Sequence, residues 1–216
     1  MLERFLEFDE TVICGATVYI FVKRYPNEQD VSTLIDKIRE HHVSVHFVTA
    51  IEPSGGDSPA ILYNVASETF GICAFEYGWQ MHSVLGNMQV YSGPYLIYAH
   101  NVKVAGNDSI VLPELDIVIH GEYRIAMTIQ DHASLDMFNE IHLSWSHGTE
   151  TDSLGGNKQS VNNQWLGGCY MDAWRSLDPS VYNMTLKYDY NSDAEQILQI
   201  RVFGQTPLYH WLPYDA

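Results

Sequence analysis

The hydrophobic period of this chain changes once, near residue 80, and that change restricts the architectures open to it. Up to Tyr77, continuous apolar runs alternate with segments whose apolar residues recur at i, i+3, i+4 and i+7. From Gln89 onward nearly every pattern has a period of two. The first regime predicts strands covered on both faces and joined by helices, as in a parallel sheet. The second predicts antiparallel strands with one wet and one buried face. The expected fold class is α/β plus all-β: a partial parallel-sheet domain over residues 1–80, then a β-sandwich over 85–216. The boundary lies around Gly78 to Asn87 and carries no Pro/Ser linker, so the halves are expected to pack directly.

In the first part, MLERFLEF reads as the tail of a helix and ATVYIFV as a buried strand. Asp30 is the expected N-cap of a helix whose apolar face is Val31, Leu34, Ile35 and Ile38, ending near His41. The strand VSVHFVTAI follows, and SGGDSP turns the chain. Ser58 and Pro59 then occupy the N-cap and first position of a second helix, which Gly71 is placed to close. ICAFEY is the last strand of this part. In the second part, YRIAMTIQ, EIHLSWSH, VYNMTLKYDY and LQIRV each alternate cleanly. Further strands at 95–105, 110–119 and 168–174 bring the number to seven or eight, that of a β-sandwich or jelly roll. Residues 147–163, HGTETDSLGGNKQSVNN, read as a long polar loop.

A formal charge of −16 is shared by both parts, with 12 acidic and 5 basic residues up to Tyr77 and 15 and 6 beyond. Such a balance repels phosphate backbones, so no nucleic-acid partner is expected. No apolar run reaches the roughly 20 residues of a membrane span, and the N-terminus lacks the pattern of a signal peptide. Cys14, Cys73 and Cys169 are too few and too scattered for a disulfide framework or a C-x-x-C metal site; whether Cys14 and Cys73 meet stays open.

VYIFVKRYPNEQDVSTLIDKIREHHVSVHFVTA, PSGG at 53–56 and LYNVASETFGICAF at 62–75 resemble the C-terminal half of a von Willebrand factor A domain. The version most similar occurs in a nematode-expanded group of proteins, where a β-rich domain of uncharacterised function follows. The resemblance implies a Rossmann-like sheet whose front half lies upstream, and an extracellular location if a signal-bearing segment is missing; as written, the chain is expected to be cytoplasmic. A sheet lacking its early strands leaves an open edge, a route to self-association. Metal-binding A-type domains use a D-x-S-x-S loop, which this sequence lacks, and the loop after VYIFV carries Lys23 and Arg24. No metal or cofactor is therefore expected.

The remaining candidates are side-chain clusters. Trp165, Tyr170, Trp174 and Trp211, with Tyr209 and Tyr214 nearby, offer flat amphipathic area suited to a carbohydrate or protein partner. His42, Ser44 and His46 are evenly spaced, an incomplete set for zinc. Asp189, Asn191 and Asp193 open like a calcium loop, but Ala194 stands where Gly is required, so a turn is expected. Asn107-Asp-Ser and Asn183-Met-Thr are acceptor sequons. About one such match arises by chance in a chain of this composition, which leaves their use open. The function expected is non-enzymatic recognition of a protein or glycan. The alternatives are a hydrolase working through Asp131 and His132, or a scaffold with no ligand.

Overall fold

The computed structural model describes residues 2–7, 13–79, 81, 82, 84, 94–132, 137–160 and 170–214. The first part holds α1 (Leu2–Phe5), β1 (Thr17–Val22), α2 (Ser32–Glu40), β2 (Ser44–Ala50), α3 (Pro59–Glu68) and β3 (Cys73–Glu76). The strands of the second part are β4 (Tyr95–Val104), β5 (Asn107–Ile117), β6 (Gly121–Thr128), β7 (Phe138–His147), β8 (Glu150–Asn157), β9 (Tyr170–Leu177), β10 (Ser180–Tyr190) and β11 (Gln196–Gly204).

β1, β2 and β3 form a parallel sheet in chain order. On β2, Val45 and Phe47 join the core cluster that holds Ile35 and Ile38 of α2 and Leu62 and Val65 of α3. Asp30 sits one residue further out than expected: Val31 holds the cap position, and the Asp30 carboxylate accepts from the Ser32 amide at 2.9 Å. The left-handed residue after α3 is Phe70 (φ 58°), not Gly71. Gly71 is required for another reason, because a Cβ there would stand 1.8 Å from the Val45 carbonyl oxygen.

The eight antiparallel strands make two sheets, ordered β5-β10-β7-β8 and β4-β11-β6-β9. Period-two burial is plain in β10, where Tyr182, Met184, Leu186, Tyr188 and Tyr190 are buried between more exposed neighbours. They share one core with Ile125, Met127, Leu143, Trp145, Leu198, Ile200 and Val202, the interior of a sandwich. The polar stretch at 147–163 is not simply a loop: Glu150–Asn157 is an edge strand paired with β7. Leu154 is its one buried residue, so no alternation announced it. Gly155 allows the close approach, since a Cβ there would lie 2.1 Å from the Ile141 carbonyl oxygen.

The parallel layer is seated on the outer face of β4-β11-β6-β9. An apolar patch of Val48, Ala50, Ile72 and Ala74 meets Ala126, Tyr170 and Phe203. Beside it the seam is polar. Gln199 Oε1 accepts from the Cys73 amide at 2.9 Å, and the Tyr63 hydroxyl reaches Thr128 Oγ1 at 2.6 Å and the Ile197 carbonyl at 2.7 Å. Arg201 is fully buried there. It donates to the carbonyls of Phe70 (3.0 Å), Gly71 (3.1 Å) and His100 (3.0 Å) and to Asn101 Oδ1 (2.8 Å). Carbonyls just beyond the C-terminus of α3 lack helical partners and carry negative partial charge, so a guanidinium satisfies them without a carboxylate. Burial pulls the Arg201 pKa down to about 9, which still leaves it charged at neutral pH.

Candidate functional site

Where the parallel layer, the start of β4 and the C-terminal segment converge, they enclose a cleft of about 370 Å³. Its wall is built on the α2–β2 turn. His42 takes a left-handed conformation (φ 50°) that reverses the chain immediately after α2. The turn presents its imidazole to the segment after β11, where Trp211 stacks on it with ring centres 4.4 Å apart and planes 5° from parallel. Tyr214 lies 6.2 Å from the same imidazole at 7°, and Phe70 stacks on Tyr214 at 4.4 Å and 10°. Arg39 sits 4.9 Å over the Tyr214 ring, a cation–π contact that helps fix that end of the row. Trp211 (57% exposed), Tyr209 (fully exposed) and Tyr95 (42% exposed) give the opening its accessible aromatic area.

Ser44 and His46 of β2 and Thr17 of β1 supply the polar lining. Strand alternation puts Ser44 and His46 on one side, and the turn adds His42, so the evenly spaced triplet converges on one cleft even though His42 is outside the strand. His46 is buried against Tyr19 (centroids 4.9 Å) and Phe203 (6.2 Å). Burial, with the Arg201 charge adding to it, holds its pKa down to about 3, so the ring is neutral at physiological pH. Its Nδ1 accepts from the Ile72 amide at 3.2 Å, which places the proton on Nε2 and makes that atom a donor. Among the described residues no Asp, Glu, Lys or Arg lines the cleft.

The four aromatic candidates from the sequence separate. Trp211 is on the cleft. Tyr170 is buried (4% exposed) in the patch beneath the parallel layer and presents no face to a ligand. Trp174 is half-buried with the Arg124 guanidinium 5.6 Å over its ring, beside the buried ion pair of Arg124 with Asp172. Trp165 and Cys169 lie outside the described residues. What sequence reading missed was the contribution of the α2–β2 turn and of Phe70, two non-glycine residues with positive φ; residue type alone gives no such signal.

A second cleft, about 330 Å³, opens beside Asp131 and His132 and is also lined by Tyr25, Tyr63 and Asn64. His132 Nδ1 is 2.8 Å from Asp131 Oδ1, and its Nε2 is 2.9 Å from Gln130 Nε2. Both ring nitrogens thus have side-chain partners. Asn191 exchanges side-chain hydrogen bonds at 2.8 Å with Asn139 of β7 and the Ala194 amide bonds Ser192 Oγ, which makes 189–194 a turn tied to β7. Among the described residues no group of three or more His, Cys, Asp or Glu could hold a metal ion. Cys14 is exposed and Cys73 buried, and both are free thiols.

Residues 100–205, just under half of the chain, match the family profile of a domain of unknown function (DUF7154). No curated protein matches. Among solved structures, a carbohydrate-binding module from Cellvibrio mixtus lichenase 5A in complex with cellotriose is similar at 11% identity and a TM-score of 0.31. The match covers 53% of this chain and 93% of that one. The C-terminal module of LamC, a laminarinase of Zobellia galactanivorans, matches at 13% identity and a TM-score of 0.32, over 52% and 95% of the two chains. The vertex protein P5 of PRD1 does so at 12% and 0.34, over 51% and 72%. At these scores none of them assigns a ligand to this chain.

Proposed function

We propose that this chain is a non-enzymatic recognition protein that binds a neutral saccharide in the cleft between the α2–β2 turn and the C-terminal segment. The observation that carries this reading is the run of near-parallel rings from Phe70 through Tyr214 and His42 to the exposed Trp211, in a lining that holds no Asp, Glu, Lys or Arg among the described residues. Aromatic faces take up the apolar face of a pyranose ring, and hydroxyl and imidazole groups at the margins bond its hydroxyls. In a chain of formal charge −16, the field of the whole protein disfavours anionic ligands. Trp211 is the residue on which affinity rests; Trp174 is held in contact with Arg124 and contributes little. The test is a glycan array containing neutral, sulfated and sialylated oligosaccharides, followed by calorimetry on the best ligand. Loss of at least tenfold in affinity in Trp211→Ala, with Trp174→Ala unchanged, is expected. Equal binding by Trp211→Ala would sink the reading.

The parallel layer is proposed to be the C-terminal half of a von Willebrand factor A domain, and the chain to divide at residues 1–80 and 85–216. Supporting this are the parallel order β1-β2-β3 and the crossover helices α2 and α3 between its strands. We further propose that copies of the chain associate through β1. It is an edge strand among the described residues, its sequence TVYIFV is free of charge, and Phe21 is 48% exposed. Light scattering on the wild type and on Val18→Lys tests this, and identical monomeric masses for the two would refute it.

A further inference from the structure

The two acceptor sequons fall on one sheet of the sandwich. Asn183 lies in the middle of β10, where it alternates with buried Tyr182 and Met184 and is itself exposed. Thr185, the sequon hydroxyl, stands on the same face two residues on. Asn107 is the first residue of the neighbouring strand β5, exposed, and follows the turn residue Gly106 (φ 61°). Several other asparagines are tied into the fold. Asn101 bonds the Ser67 carbonyl, Asn139 and Asn191 bond each other, and Asn157 accepts from Ser160. Neither Asn107 nor Asn183 makes a side-chain hydrogen bond among the described residues.

The surroundings of Asn183 suit a sugar. Its cross-strand neighbour on β7 is Ser146, and Thr151 of β8 follows, so the side chains beside it are small. Close by, among polar neighbours such as Asp116 opposite Val181, stand two exposed valines. Val181 is 46% exposed, and Val111, 80% exposed, sits directly opposite Thr185. Exposed valines on an open sheet face are an association liability unless something covers them.

We propose that Asn183 is an N-linked glycosylation site and that Asn107 is a second on the same sheet. Oligosaccharyl transfer forms a bond between the asparagine Nδ2 and the anomeric carbon of a lipid-linked oligosaccharide diphosphate. The anomeric carbon–oxygen bond breaks, the lipid diphosphate leaves, and the amide proton passes to a base of the transferase; nothing is oxidised or reduced. The transfer takes place on the extended chain, so the later pairing of β10 with β5 and β7 is no obstacle. In the folded protein the first sugar covers Val181 and Val111. The opposite sheet borders the aromatic cleft through Leu96 and Phe203, so the glycan leaves that opening free.

The decisive sample is the protein isolated from the tissue that makes it, digested with N-glycosidase in ¹⁸O water. Conversion of Asn183 to ¹⁸O-labelled Asp is expected, and an unmodified Asn183 in that sample overturns the assignment. Secreted expression in a eukaryotic host provides the variants. Asn183→Gln and Thr185→Val should each remove one glycan step on a gel, the latter keeping a β-branched side chain in the strand. Persistence of that step in Thr185→Val would equally overturn it, and modification confined to Asn107 would overturn the site at Asn183.

Discussion

Arg201 donates to the carbonyl oxygen of Gly71 at 3.1 Å, joining β11 to the turn between α3 and β3 across 130 residues of chain. Replacing it by Leu removes the cation and strands the carbonyls of Phe70, Gly71 and His100 in the seam. A loss of about 2–4 kcal/mol in unfolding free energy is expected from urea titration. Arg201→Lys should recover only part of it, since an ammonium cannot reproduce the planar fork that serves six separate acceptors.

Acid should weaken the fold through His46. Its folded pKa of about 3 lies below the ordinary value of 6.5, so the unfolded chain takes up the proton first. Stability is therefore complete above pH 6.5 and falls as pH drops toward 3, with a slope of up to about 1.4 kcal/mol per pH unit. His46→Gln should flatten this limb in a pH series of urea midpoints.

Glu76 acts in the opposite sense. Burial at the end of β3 raises its pKa to about 7, against the opposing hydrogen bond from the Tyr77 amide. The folded state thus holds a proton that the unfolded state releases above about pH 4.5, and stability falls as pH rises from there through 7. Glu76→Gln is expected to remove that loss, so its advantage over wild type should be larger at pH 8 than at pH 4. An advantage independent of pH would contradict the assignment.

Gly71→Ala should destabilise by about 1–3 kcal/mol, because its Cβ collides with the backbone of β2 rather than with a movable side chain. Gly155→Ala meets a similar obstacle at Ile141 but lies on an edge strand. There the expected result is local release of β8, visible as faster amide exchange over Glu150–Asn157 with little change in global stability.

Gly15→Ala tests the cleft. A Cβ at Gly15 would lie 2.7 Å from Trp211 Cη2, and its φ of 74° is unfavourable for alanine. The expected outcomes are a loss of roughly 1 kcal/mol of stability and a shift in tryptophan emission as Trp211 leaves His42.

How much of this could be read from the sequence follows the strength of each local signal. Ile35 and Ile38 of α2, and the alternating tyrosines of β10, stand out because burial on one face enforces a period. β8 does not, since Leu154 alone points inward and Gly155, which lets it approach β7, looks like a loop residue. The candidate site was legible only in pieces. Trp211 and the His42, Ser44 and His46 series were visible as residue types, yet nothing local brings residue 42 to residue 211. Tyr170 and Trp174 share the composition of a contact surface but lie within the layer packing and against Arg124, because which face of β9 is covered is decided by the parallel layer.

The contact of Trp211 with Gly15 and His42 has a mechanical meaning. Residues near the two ends of the described chain meet at one wall of the cleft, so a ligand seated there would bear on both at once. A ligand in that position would work as a clasp, and a pull on either end would have to open it before the parallel layer could peel from the sandwich.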